Sequence, residues 1–155
     1  MTEQDFLVRI GLSMVCGGLL GLERQLTEHP AGLRTLILVC IGSTLIGSTD
    51  VYLYTTFKTQ DTFRLAAQVV TGVGFIGGGA ILQTKATIKG LTTAATLWIT
   101  AAVGLALGVG FYAAGITTTV LALFTLSILA WRERYLPSTR SKRDKDAGDS
   151  GESIT

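Results

Sequence analysis

The sequence predicts an all-α protein, a polytopic membrane helix bundle of five transmembrane helices with the N-terminus outside and the C-terminus cytoplasmic. Three observations carry this. Only 15% of the 155 residues are charged and 48% are apolar, a balance that suits a bilayer as solvent. Uncharged runs of membrane length recur along the chain, separated by short polar connections. Lysine and arginine crowd into alternate connections, as the positive-inside bias requires.

The first run is 6–22, interrupted by Arg9 close enough to its end for the guanidinium to snorkel to the interface. It is not read as a signal peptide, because Glu3 and Asp5 precede it, no Ala-x-Ala-like cleavage site follows it, and further apolar runs come after. The second and third runs are 33–49 and 65–82. Each makes roughly 25 Å of helix, which reaches across a ~30 Å hydrocarbon core with its polar flanks. From 91 to 131 no residue is charged. One helix of that length would be roughly 60 Å long, about twice the core, so the chain must fold back at Gly108, Gly110 and Gly115. Spans four and five are therefore expected at 91–107 and 112–131.

Five spans sort the basic residues unequally. Arg24, Arg34, Lys85, Lys89 and six residues of the tail fall on one side, ten in all, against Arg9, Lys58 and Arg64 on the other. The richer side is expected to be cytoplasmic. The chain then divides into a transmembrane domain, 1–131, and a tail, 132–155. The tail is too polar to bury a core and is expected to be disordered, with its basic start beside anionic lipid.

The stretch 61–98 organises the rest. Gly72-x-Gly74-x-x-Gly77 matches a dinucleotide-binding fingerprint as a string, but it lies inside an apolar run without the required strand or acidic residue. Close helix packing is the physical reading, since small residues three or four apart let backbones approach in lipid. Span three offers Gly72, Gly74, Gly77, Gly78 and Gly79, span one Gly17 and Gly21, and span four Gly104 and Gly108. Span three is expected at the centre of the bundle. An internal repeat is also suggested: Gly17-Gly18 leading to Gly32-Leu33-Arg34-Thr35 parallels Gly77-Gly78-Gly79 leading to Gly90-Leu91-Thr92-Thr93, two hairpins of like direction.

Charged and hydroxyl residues at the span ends are the candidate sites. Glu23 and Arg24 close span one and Arg34 opens span two; a carboxylate between two guanidinium groups would tie the hairpin or present a docking face, or the three are ordinary interfacial charges. Asp61 and Arg64, three apart, either pair with each other or leave Asp61 to cap span three. Thr92, Thr93 and Thr96 either cap span four or bond across a close helix pair. Cys16 and Cys40, at similar depth, are read as inert buried thiols, and His29 as a solvated turn residue. No catalytic set, cofactor motif or metal cluster is present in the pattern, so neither an enzyme nor a cofactor is expected. Nucleic acid is not an expected partner, because the basic residues lie in connections and in the tail.

The strings GLLGLERQ (18–25), AGLRTLILVCIGS (31–43), RLAAQVVTGVGFIGGGAIL (64–82) and KGLTTAATLWITAAVGLALG (89–108) resemble the membrane domain of the MgtC/SapB family of bacterial inner-membrane proteins. The resemblance implies a five-span domain in a multi-pass inner-membrane protein tied to magnesium homeostasis and growth at low magnesium. It further implies a regulator acting by contact with a membrane partner, the F-type ATP synthase in one branch, and it raises Glu23, Arg34 and Thr92 as functional residues. Two departures stand out. Many members carry a folded cytoplasmic domain where this chain has the charged tail, and many read Asp-Pro-x-Arg where this chain has Asp61-Thr62-Phe63-Arg64. Three function classes follow: a contact regulator in the bilayer, a carrier or channel for magnesium or another ion that would need a homo-oligomer to enclose a polar path, or a structural subunit.

Overall fold

The computed structural model describes residues 2–58, 64–84 and 87–135, with side chains to residue 128. Five helices and one small hairpin of strands follow in order: α1 Glu3–Leu26, α2 Leu33–Phe57, α3 Arg64–Gly79, β1 Leu82–Gln83, β2 Ile88–Lys89, α4 Leu91–Gly108 and α5 Tyr112–Tyr135. Helices α1, α2 and α4 are long and apolar enough to cross a membrane. Helix α3, at 16 residues, and the apolar part of α5, Tyr112–Ile128, are shorter.

Local chemistry fixes most boundaries. Thr2 and Asp5 form a capping box at the start of α1, satisfying two of its free N–H groups. Helix α1 ends in a Schellman turn: Glu28 N–H bonds to Gln25 O and His29 N–H to Arg24 O, with Glu28 in the left-handed region at φ 57°. The α4–α5 turn repeats this geometry, with Gly110 N–H on Leu107 O and Phe111 N–H on Ala106 O. Here glycine holds the left-handed position, Gly110 at φ 88°. The expected fold-back is therefore at Gly110 alone, while Gly108 and Gly115 belong to helices.

Helix α2 runs to Phe57 rather than stopping near residue 49, which places Asp50 inside a helix. Its extension carries Tyr52, Tyr54 and Phe57, aromatic residues of the type that settles at a membrane interface. Helix α3 stops at Gly79, three residues short of the apolar run, after three consecutive glycines with poor helix propensity. The chain then pairs Leu82 with Lys89 and Gln83 with Ile88, a strand hairpin in a chain expected to be all helix and loop. Gly90, at φ 91°, lies so close to the Ala80 carbonyl that a Cβ there would collide with it. The start of α5 matches the expected span, and its last four residues, 132–135, are helical rather than tail. The tail beyond them, 136–155, lies outside the described residues, as do Asp61 and Lys85.

The centre of the bundle is α4, not the third span. Helix α4 touches each of the other four helices, and its most extensive partner is α2, which also packs along α1. Helices α2 and α4 run parallel and in register. Thr44 Oγ1 donates to Gly104 O at 2.9 Å and Ser48 Oγ donates to Gly108 O at 3.1 Å, the same offset one turn apart. Parallel α2 and α4 are what two hairpins of like direction require. Three buried clusters line this axis: Cys16 and Cys40 with Val103 and Leu107, Leu20 and Leu36 with Leu97, and Val69 and Val73 with Ala101.

Glycine decides how closely these helices approach. A Cβ at Gly17 would lie 2.8 Å from Cys40 Cβ, one at Gly21 2.6 Å from Leu33 Cα, and one at Gly108 2.5 Å from Thr44 O. Gly104 is backed just as tightly against Cys40 O and Ser43. Gly47 of α2, absent from the expected set, meets Gly108 at the crossing. On α3 only Gly77 faces a neighbour, with a Cβ falling 3.5 Å from Ala94 Cβ. Among the described residues, a Cβ at Gly72, Gly74, Gly78 or Gly79 would meet nothing within 4 Å. Those four do not pack the bundle, because α3 lies on its flank and buries only Val69, Val73 and Gly77.

Candidate functional site

The most unusual polar contact is at the end of the bundle where α1 finishes and α4 begins. The Schellman turn fixes Arg24 within the last turn of α1 and directs it inward, leaving it 2% exposed. Its Nη2 donates to Thr93 Oγ1 at 3.0 Å, across 69 residues of chain. Thr93 is itself 2% exposed, in the first turn of α4. Among the described residues Arg24 Nε is buried with no hydrogen-bond partner, and so is Glu23 Oε2. A guanidinium desolvated this far, held by one hydroxyl, is costly to keep.

Of the expected residues, the structure joins Arg24 and Thr93 and parts Arg34 from Glu23; the pair expected of Asp61 and Arg64 falls outside the described residues through Asp61. Arg34, at the second position of α2, is exposed, and among the described residues no ion pair ties it to Glu23. The expected carboxylate between two guanidinium groups is therefore not formed: Arg24 turns into the bundle while Arg34 turns out of it. Thr92 is exposed and lends its carbonyl to Thr96 Oγ1 at 2.7 Å. Thr100 Oγ1 donates to Thr96 O at 2.7 Å in the next turn. These hydroxyls return to their own helix, and Thr93 alone bonds across a helix pair. His29 Nδ1 lies 2.8 Å from Thr27 Oγ1 in the exposed turn.

The opposite end holds a second polar cluster that the sequence did not single out. Arg9 donates through Nη1 to the Gly108 carbonyl, which also receives Ser48 Oγ. Rather than snorkelling away, Arg9 places its charge at the C-terminus of α4, the favourable end of the helix dipole. Asp50, 5% exposed, accepts the Ala66 N–H at 2.9 Å through Oδ2. Asp50 thus caps α3, the role weighed for Asp61, from within the part of α2 that extends past the expected span. Arg64 opens α3 beside this cap. Among the described residues no three of His, Cys, Asp or Glu come together as metal ligands.

The profile of the MgtC family matches residues 10–135. The chain belongs to the MgtC family. Among curated relatives it is 43% identical over 129 residues to YhiD of Escherichia coli K12, provisionally named a magnesium transporter, covering 80% of this chain and 60% of that one. It is 35% identical over 144 residues to SapB of Bacillus subtilis, covering 89% and 62%. Against MgtC of Salmonella typhimurium LT2 it is 35% identical over 118 residues, covering 76% and 49%. The chain thus spans about half to three-fifths of the length of these relatives. No solved structure matches it. The profile covers all five helices, and with three helices of membrane-spanning character it makes this MgtC-family chain a membrane protein of a magnesium-related family.

Proposed function

We propose that this chain is a regulator of magnesium homeostasis in the bacterial inner membrane, acting by contact with another membrane protein, with the F-type ATP synthase as the first partner to test. The observation that carries this reading is the outward face of α3. Glycine inside a helix costs about 1 kcal/mol relative to alanine, and four of the five glycines of α3 face no neighbour among the described residues. In lipid that cost is offset when a second helix approaches the bare backbone. By helical spacing Phe75, 87% exposed, stands between two strips of glycine, Gly74 with Gly78 and Gly72 with Gly79. The reading also takes the N-terminus as outside and the tail as cytoplasmic, on the distribution of basic residues.

Magnesium transport is the second reading, favoured by the name given to YhiD. Against it, hydroxyls inside the bundle bond to helix carbonyls and Asp50 is engaged by α3, so the described residues of a single chain offer no row of open ligands. A photo-crosslinker at position 75 in native membranes tests the proposal. The expected result is one discrete adduct with a membrane protein, an ATP synthase subunit first among them. Adducts to lipid only, together with magnesium flux by the purified protein in liposomes, would refute it.

A further inference from the structure

Helices α2 and α4 both begin uncapped. The N-cap of each is a glycine, Gly32 and Gly90, with no side-chain hydrogen bond at either start. At Gly90 a capping side chain is sterically barred, because a Cβ there would collide with the Ala80 carbonyl. The first backbone bonds are Leu36 N–H on Gly32 O and Ala94 N–H on Gly90 O. Among the described residues the N–H groups of Leu33, Arg34 and Thr35, and of Leu91, Thr92 and Thr93, therefore have no acceptor. The 60-residue offset that joins Thr44 to Gly104 and Ser48 to Gly108 sets Leu33 level with Thr93. One turn further in, Leu36 and Leu97 share a buried cluster, so the two open starts lie together at one end of the bundle.

A cation is buried at the same place. Arg24 follows Gly21 by three residues, and a Cβ at Gly21 would lie 2.6 Å from Leu33 Cα; its Nη2 holds Thr93 Oγ1 in the first turn of α4. The last carbonyls of α1 are taken by the turn after it, Glu23 O by Thr27, Arg24 O by His29 and Gln25 O by Glu28. The guanidinium, 2% exposed with its Nε unpartnered, is thus not spent on its own helix. It sits at the positive end of α4, where the dipole repels it. Glu23 is within electrostatic reach, yet its buried Oε2 receives no hydrogen bond. Two helix ends of roughly half a charge each and one guanidinium, against one carboxylate, leave about one positive charge uncompensated. Exposed Arg34 and Lys89 add to it. The free N–H groups call for acceptor oxygens and Glu23 Oε2 calls for a donor. A phosphate group that keeps one proton supplies both, whereas sulfate at neutral pH supplies acceptors alone. Leu91 is 57% exposed and Thr92 is exposed, so the start of α4 is open to such a group.

We propose that the start of α4, with Arg24 and Glu23 behind it, binds a phosphate group that retains a proton, carried by inorganic phosphate or by the monoester headgroup of a lipid. Its oxygens accept from the Leu91 and Thr92 N–H groups and from Arg24, and its P–OH donates to Glu23. This stands whether or not α3 contacts a protein partner.

The full-length protein in maltoside micelles is titrated with inorganic phosphate, with dihexanoyl phosphatidic acid and with sulfate, while NMR follows the amides of Leu91 and Thr92. Saturable downfield shifts of both amides are expected with the two phosphate probes, and the tighter probe names the source. Sulfate should bind about tenfold more weakly or worse, because it leaves Glu23 without a donor. Glu23→Gln, whose amide can donate, should erase that preference. Arg24→Met should weaken phosphate by about tenfold or more, whereas Arg34→Gln, which removes an exposed and screened charge, should change it by less than about twofold. No shift at Leu91 and Thr92 with either phosphate probe, in protein whose helical circular dichroism is intact, would overturn the proposal. Equal binding of sulfate by the parent would also overturn it, leaving a helix end that attracts any anion, and so would phosphate affinity unchanged in folded Arg24→Met.

Discussion

Gly104→Ala tests the account of how the bundle is held together. An alanine Cβ at position 104 would lie 2.8 Å from Ser43 Cβ and 3.2 Å from the Cys40 carbonyl carbon. Carbon atoms rest at about 3.5–4.0 Å, so α2 and α4 would have to part by about 0.7–1.2 Å. That separation carries Thr44 Oγ1 to Gly104 O, now 2.9 Å, and Ser48 Oγ to Gly108 O, now 3.1 Å, beyond hydrogen-bonding range. Interhelical hydrogen bonds in membranes are worth about 0.6 kcal/mol each, overpacking costs about 1–3 kcal/mol, and the helix propensity of alanine returns about 1 kcal/mol. The net expectation is a destabilisation of about 1–3 kcal/mol, read by reversible unfolding in mixed micelles with circular dichroism. Gly74→Ala is the control: it meets nothing within 4 Å and should leave stability unchanged or raised by up to about 1 kcal/mol. If Gly104→Ala proves as stable as Gly74→Ala, the close parallel crossing of α2 and α4 is wrong.

Three further substitutions probe the ends of the helices. Glu28→Gly relieves a non-glycine residue at φ 57° and should raise the thermal midpoint in detergent, by a stability gain of about 1 kcal/mol. Asp50→Ala removes the cap from α3 and should cost about 1–2 kcal/mol with faster amide exchange at the start of α3, whereas Asp50→Asn, which keeps an acceptor oxygen, should cost less than half of that. Arg24→Met exchanges a desolvated cation with an orphaned N–H for an apolar chain of similar reach, and stability should change by no more than about 1 kcal/mol. Complementation of growth at low magnesium by the same variant then separates roles: lost growth with a retained fold makes Arg24 a functional residue.

Much of the fold was legible because its signals are local. Apolar run lengths and the glycines after span four act within a few residues, and they placed five helices and a break within 108–115, which the structure puts at Gly110. Which glycines pack was not legible. Gly74 and Gly104 sit in similar apolar strings, yet one faces open space and the other Cys40, and that difference depends on the order of helices around α4. The extension of α2 to Phe57 escaped for another reason: hydropathy marks where a bilayer ends, whereas helix continues as long as propensity and capping allow. Asp50 consequently fell just outside the expected span two, although it lies in α2 and caps α3. Arg24 and Thr93 were each visible as polar residues at span ends, but their contact crosses 69 residues, a separation no local pattern encodes.

The arrangement of α3 relates its exposed face to the rest of the molecule. It buries only Val69, Val73 and Gly77 along its length, against nine buried positions on α4, so side-chain burial contributes little to holding it. Its attachment is concentrated at its ends. At the start, the buried Asp50 of α2 holds the Ala66 N–H; at the finish, the strand hairpin returns the chain so that Gly90 closes on Ala80. One residue after Gly90, α4 begins, and two residues further on its Thr93 meets Arg24. A helix fastened at two points and loosely packed between them opens more readily than one packed along its length. Its exposed glycines are therefore carried on a helix that is loosely packed along its length, while the side-chain hydrogen bonds that join α1, α2 and α4 lie inside the bundle.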